Sequence, residues 1–280
     1  AGKNGGGIHA ISPNNHGRSN VVLVEGTEAL FHLNKATKYG GAISVVYETS
    51  MNVNGIGTQL VLKSNEAERG GGLFVYRGAT FIVSAGAQLD VVQNSAIKYG
   101  AGIYSASSCN VPVCKDYETG IKKWPIIKIS GAKTTFLIQH NTAKLKGGGW
   151  YIGFGCKVKV TAGALVFVHE NVALWAGGGL WSYKIPSKIE INGTGTRFVI
   201  QANQADTVAG GLGLIEGAKT SVTAGAYLNV SNNSCREYGA GIYLVNEGSR
   251  FDVSGQTTSL VVSNNIVTEG AGGGIAISTG

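Results

Sequence analysis

A signature of three small residues followed by an apolar one returns nine times along the chain, with the apolar residue at Ile8, Ile43, Leu73, Ile103, Trp150, Leu180, Leu212, Ile242 and Ile275. The successive spacings are 35, 30, 30, 47, 30, 32, 30 and 33 residues, so a single interval departs badly from thirty. An Asn travels with the signature, about six residues ahead of each triplet and usually followed two residues later by Ala: Asn34, Asn65, Asn94, Asn141, Asn171, Asn203, Asn233 and Asn265. A repeat of this length means stacked copies of one supersecondary unit. Residues 1–280 therefore read as one elongated domain, although 280 residues would ordinarily allow two.

The unit from Gly70 to Ile103 shows what each copy does. Its apolar residues alternate with polar ones, which is the period of a strand and not of a helix. A first strand carries Leu73 and Val75 inward. A second carries Phe81 and Val83 and stops at the turn Ser84-Ala85-Gly86-Ala87, whose near copies are Thr161–Ala164 and Thr223–Ala226. A third carries Leu89 and Val91 and ends at Asn94, and its inward position repeats as Leu60, Leu89, Phe136, Val166, Phe198, Leu228 and Leu260. Such a unit cannot bury its own apolar face, so coil must stack on coil. The expected fold is all-β, a right-handed parallel β-helix (β-solenoid) with about 30 residues and three strands per coil and eight to nine coils. At the spacing of neighbouring strands this is a rod of roughly 40 Å. Forty-four Gly with four Pro and no Gly-X-Y period suit tight turns, not collagen or a disordered tract. No apolar run approaches a membrane span, and no basic-then-apolar leader is present.

In the second unit, Phe31-His32-Leu33-Asn34 and Gly40-Gly41-Ala42-Ile43 resemble the FxxN and GGAI repeat motifs of the chlamydial polymorphic membrane protein family, surface-displayed β-helical adhesins. Other units read GGGL or GAGI, with the aromatic five residues before the Asn, as in Phe136 and Asn141. The resemblance implies an extracellular or cell-surface setting. Residues 5–12, GGGIHAIS, nearly repeat at 272–278 as GGGIAIS, so the chain starts and stops at one phase of the repeat. The expectation is a segment of a longer array or a subunit that self-associates end to end into a filament; a fragment cut at those points fits as well. Uncapped coil edges favour such pairing.

The Asn column has a structural reading, in which side chains stack and satisfy bent backbone at a turn. The Gly triplets lack the Lys-Ser/Thr and the following helix of a phosphate loop. The position between the two inward residues of the first strand points outward and reads His9, Ser44, Phe74, Tyr104, Tyr151, Trp181, Gly213, Tyr243 and Ala276. Phe74, Tyr104, Tyr151 and Trp181, with Tyr243 further on, are expected to form an exposed aromatic stripe. It could stack on sugars, make a lateral contact, or merely stiffen the rod.

The interval of 47 marks an insertion at 105–123 in the fourth coil, and it holds Cys109 and Cys114. Cys109 and Cys156 each stand six residues after their anchors, which admits a disulfide between adjacent coils; Cys109–Cys114 is the alternative. Cys235 reads as a buried free thiol. Nine Lys lie between Lys115 and Lys159 against Asp116 and Glu118, in a chain of net charge +7, a patch suited to an acidic glycan or an acidic partner surface. No nucleic-acid module is recognisable, so nucleic acid is not an expected partner. The sequons at Asn192, Asn229 and Asn232 favour a secreted protein carrying N-glycans.

Parallel β-helices also serve as polysaccharide lyases and hydrolases, whose chemistry needs clustered carboxylates. This chain has four Asp, at 90, 116, 206 and 252, in separate coils, and Glu170 beside His169 is its nearest approach to a catalytic pair. No catalytic residue, metal site or cofactor is therefore assigned. The functional expectation is a non-enzymatic extracellular fibre or stalk subunit assembling through its uncapped ends and lateral faces, with a glycan-binding adhesin as the alternative. Far-UV circular dichroism of the purified chain should show a strand spectrum; a helix-dominated one would be incompatible with this reading.

Overall fold

The computed structural model describes residues 2–12, 19–107 and 124–279. The chain is all-β and builds a β-solenoid of parallel strands. Three strands recur in every coil. The first sheet has nine strands, from Ile8–Ile11 to Ile275–Ser278; the second has eight, from Asn20–Val24 to Arg250–Ser254; the third has eight, from Glu28–His32 to Ser259–Ser263. Besides these, the short segment after each Asn pairs into a seven-stranded fourth ladder, from Glu66–Arg69 to Ile266–Val267. Most of its members have two residues, too few for alternation to mark them in the sequence.

Alternation decides what lies inside. Leu73, Val75, Phe81, Val83, Leu89 and Val91 are all at 0% exposure and belong to one continuous core. Burying each such side chain contributes about 1.5–3 kcal/mol. Register holds from coil to coil, with Leu60, Leu89, Phe136, Val166, Phe198, Leu228 and Leu260 as successive partners.

The third strand ends in a sharp corner. The residue before each Asn is left-handed although none is Gly: Leu33, Ser64, Gln93, His140, Glu170, Ala202, Asn232 and Asn264 have φ between 53° and 56°, apart from Glu170 at 50°. The Asn that follows offsets this strain. Asn141 donates its backbone N–H (3.0 Å) and one side-chain N–H (2.9 Å) to Oδ1 of Asn171, and its other side-chain N–H to the Val91 carbonyl at 2.9 Å. The same trio recurs at Asn65, Asn94, Asn171, Asn203 and Asn233, and Asn34 joins the column through its two bonds to Asn65. The last Gly of the triplet packs against this column. A Cβ on Gly149 or Gly179 would stand 3.0 Å from the amide nitrogen of Asn171 or Asn203, so the two marks recur together because they touch.

The first strand of the fourth coil runs through Ser105 to Ala106, so the insertion begins later than 105. The coil is resumed at Pro125, whose carbonyl accepts from Lys157 N at 2.9 Å. The intervening 108–123 lie outside the described residues.

Truncating an interior Asn strands donors on one neighbour and acceptors on the other. Asn171→Ala should therefore cost about 3 kcal/mol, whereas Asn34→Ala, half-exposed and bonded on one side, should cost under about 1 kcal/mol. Chemical denaturation of the two variants checks the difference.

Candidate functional site

The outward position of the first sheet holds the aromatic column in register, Phe74 to Tyr104 to Tyr151 to Trp181, then Gly213 and Tyr243. The rings stack: Phe74–Tyr104 centroids are 5.2 Å apart at 5°, and Tyr104–Tyr151 are 5.1 Å apart at 6°. The expected exposure is not found. Phe74, Tyr104, Tyr151 and Trp181 are 2%, 5%, 6% and 5% exposed and form a second apolar cluster on the far side of the sheet from the main core.

Two flanking columns cover them. On one side runs a ladder of single bridges through Tyr39, Arg69, Tyr99, Lys146, Ala176, Val208 and Tyr238. On the other stand the last residues of the first-sheet strands, among them Val46, Tyr76, Tyr183 and Ile215. Tyr39 stacks on Phe74 at 4.7 Å. The Arg69 guanidinium lies 5.6–5.9 Å from the rings of Tyr39, Tyr99 and Tyr104, and the Lys146 ammonium lies 4.1 Å from Trp175 and 4.7 Å from Trp181. Burial pushes the Tyr104 and Tyr151 phenols up and the Lys146 ammonium down. Trp181 spreads over Gly213, where a Cβ would come within 2.8 Å of its ring, so the stack is interrupted there and Tyr243 is only half-buried. The bridge-ladder residues stand just before each Gly triplet and recur with the coil, yet their mixed chemistry and the lack of strand alternation there give no sign that they cover the rings.

Cys156 is a fully buried free thiol, so the Cys109–Cys156 bridge is not formed; Cys109 and Cys114 lie outside the described residues. Counting from the anchors misleads because the insertion intervenes. Cys156 falls opposite Pro125, in the turn position that Ala79, Ser187 and Ala218 occupy on other coils. Burial pushes its thiol up to about 12, although a hydrogen bond from Ser105 pulls the other way. Cys235 is also a buried free thiol, within 3.3 Å of the Tyr238 carbonyl.

Glu170 bridges two imidazoles from adjacent coils, His169 Nε2 and His140 Nδ1, each at 3.1 Å. All three are solvent-accessible at the corner beside the Asn column. No set of three side chains converges as metal ligands among the described residues. No helix of the described residues is long and apolar enough to cross a membrane.

The outer face of the second sheet is polar and open. Lys157, Lys188, Lys219 and Arg250 are successive register partners in one column, and Thr161, Asn192, Thr223 and Ser254 are partners in another. Between them run Lys159, Glu190, Ser221 and Asp252. This face carries a groove of about 630 Å³ lined by residues of all three columns. Glu190 contacts Lys188 at 2.7 Å and Lys159 at 3.3 Å; burial alone would raise its carboxyl, but the hydrogen bonds and charges of the two lysines outweigh it and hold it below its ordinary value.

Of the three sequons, Asn192 is exposed at a strand end and donates to Thr223 Oγ1 at 2.9 Å. Asn229 is half-buried on the outer face of the third sheet, and Asn232 is exposed at the left-handed corner.

No family model and no curated protein matches the chain. Among solved structures it is similar to a TibC-catalyzed hyper-glycosylated TibA fragment, at 15% identity and a TM-score of 0.16, over 91% of this chain and 99% of that one. At that score the likeness carries no weight for fold or function.

The covered stripe reverses what its substitution should do. Trp181→Ala should cost about 3–5 kcal/mol as a core truncation. Because the buried indole Nε1 has no hydrogen-bond partner, Trp181→Phe should cost clearly less. Urea melts of the two variants distinguish a core role from a surface role, for which both would be near neutral.

Proposed function

We propose that this chain is a non-enzymatic structural β-solenoid of an extracellular surface, a rod segment of a fibre or stalk that self-associates laterally or coil on coil. The carrying observation is the continuity of its side-chain columns. The Asn column runs unbroken from Asn34 to Asn265, and the stacked rings run beside the first sheet, so bending the rod would break many in-register contacts at once. The first sheet is buried on both faces: Ile43–Val46, Ile103–Ala106, Trp150–Gly153 and Leu212–Ile215 are buried at every position. Stiffness along the axis is what a stalk requires.

The extracellular setting is supported by the FxxN and GGAI resemblance of the second unit and by the exposure of Asn232 within its sequon. A second reading, a glycan-binding adhesin, is favoured by the open polar face of the second sheet. The readings separate in one experiment. Negative-stain images of the purified chain should show stiff rods that associate into regular filaments for the fibre, and single rods retained on a glycan array for the adhesin. Release of reducing or unsaturated sugar from a panel of polysaccharides would overturn both.

A further inference from the structure

We infer that the outer face of the second sheet is a binding track for an extended acidic polysaccharide of the uronic-acid class, running parallel to the solenoid axis across the coils of Lys157 to Arg250. Such a track goes beyond the stalk reading and does not depend on it.

Spacing comes first. Lys157, Lys188, Lys219 and Arg250 are direct register partners, so their cations recur once per coil, at about 4.8 Å along the axis. An extended uronic-acid chain likewise offers one carboxylate per sugar, at a rise comparable to one coil. A ligand of this kind keeps step with the column, whereas a compact acidic surface would meet only part of it.

Charge comes second. On the outward positions from Ile126–Ser130 to Arg250–Ser254 stand Lys128, Lys157, Lys159, Lys188, Lys219 and Arg250, against Glu190 and Asp252 alone. Both carboxylates are already engaged, Glu190 by Lys188 and Lys159, and Asp252 by Arg250 at 2.6 Å. Among the described residues Lys128, Lys157 and Lys219 have no acidic partner, so the face holds surplus positive charge at fixed intervals.

The neighbours of the cations identify the ligand class. Thr161, Asn192, Thr223 and Ser254 supply one hydroxyl or amide per coil at the other edge of the face, across the middle column from the cations, the donors and acceptors that sugar hydroxyls need. Among the described residues no aromatic lines the groove. A single-stranded nucleic acid would lack the stacking platforms on which such sites rely. Glu190 and Asp252 can accept from sugar hydroxyls, while their charge stands against a polyanion of either kind.

The test is titration by fluorescence anisotropy with an end-labelled oligogalacturonate of defined length, its fully methyl-esterified counterpart, and oligo-dT of equal charge. The wild-type chain should bind the oligogalacturonate in a salt-sensitive way and ignore the neutral ester. Lys188→Gln with Lys219→Gln should weaken binding at least about tenfold, equivalent to about 1.4 kcal/mol. Lys63→Gln with Lys144→Gln removes the same charge from other faces and should change binding by less than about twofold. Glu190→Gln, which frees Lys159 and Lys188, should tighten binding, an effect no folding defect can mimic. Failure of the wild type to bind oligogalacturonate, equal losses in the two lysine pairs, or tighter binding of oligo-dT would overturn the proposal. None of these results bears on whether the chain forms rods or filaments.

Discussion

The corner at the end of the third strand is the constraint on which the rest of the solenoid depends. Each coil must turn there through a left-handed residue, and the positions are filled by Leu, Ser, Gln, His, Glu, Ala and Asn instead of Gly. A non-Gly residue in this region carries a local cost of about 1 kcal/mol or more. The buried Asn column offsets it with bonds that also join each coil to the next, since the backbone N–H and a side-chain N–H of one Asn converge on Oδ1 of its neighbour. A single coil has no such neighbour. Turn and stack therefore form together, which is the cooperativity expected of a one-dimensional repeat.

Once the coils are held in register, any residue type recurring at one position becomes a continuous feature along the axis. The inward positions yield the main core. Outward positions differ from sheet to sheet: on the first they hold rings and join a second apolar cluster, while on the second they hold lysines, hydroxyls and amides and face solvent. The same backbone rule thus produces a stiffener on one side and a charged track on another. The outward columns alone are free to meet a partner, because the inward ones are committed to packing.

Much of this was legible before any coordinates. Alternation placed Leu73, Leu180 and Ile242 inward, and they are fully buried; the recurrence of Asn located the corner column. The exposure of Phe74, Tyr104, Tyr151 and Trp181 was misjudged because a strand period tells which face of the sheet a side chain takes, and nothing about what lies over that face. Tyr39, Arg69, Tyr99 and Lys146 come from the end of the short fourth ladder or from single bridges, and they converge on the rings only in three dimensions. Counting from the anchors admits a Cys109–Cys156 pair beside Cys109–Cys114, but the insertion shifts the register that matters, and Cys156 stands opposite Pro125 as a free thiol. The lysine column escaped for a related reason. Charge was tallied along the segment from Lys115 to Lys159, whereas the aligned cations are thirty-one residues apart at 157, 188, 219 and 250.

The outer faces of the first and second sheets are not equivalent, and the difference bears on where a partner can bind. A sheet buried on both sides, like the first, cannot yield a side chain to a ligand without opening a packed cluster. The interior strands of the second sheet alternate between buried and accessible positions, as in Lys157–Thr161 and Lys188–Asn192, so their outer side chains can exchange partners while the inner ones hold the coil. Its ion pairs also lie at the surface, where each contributes little to stability. Lys188 can thus trade Glu190 for an external carboxylate at small cost to the fold. Rigidity in the first sheet and replaceable contacts in the second are compatible in one rod, so the proposed scaffold and the proposed binding surface do not compete for the same side chains.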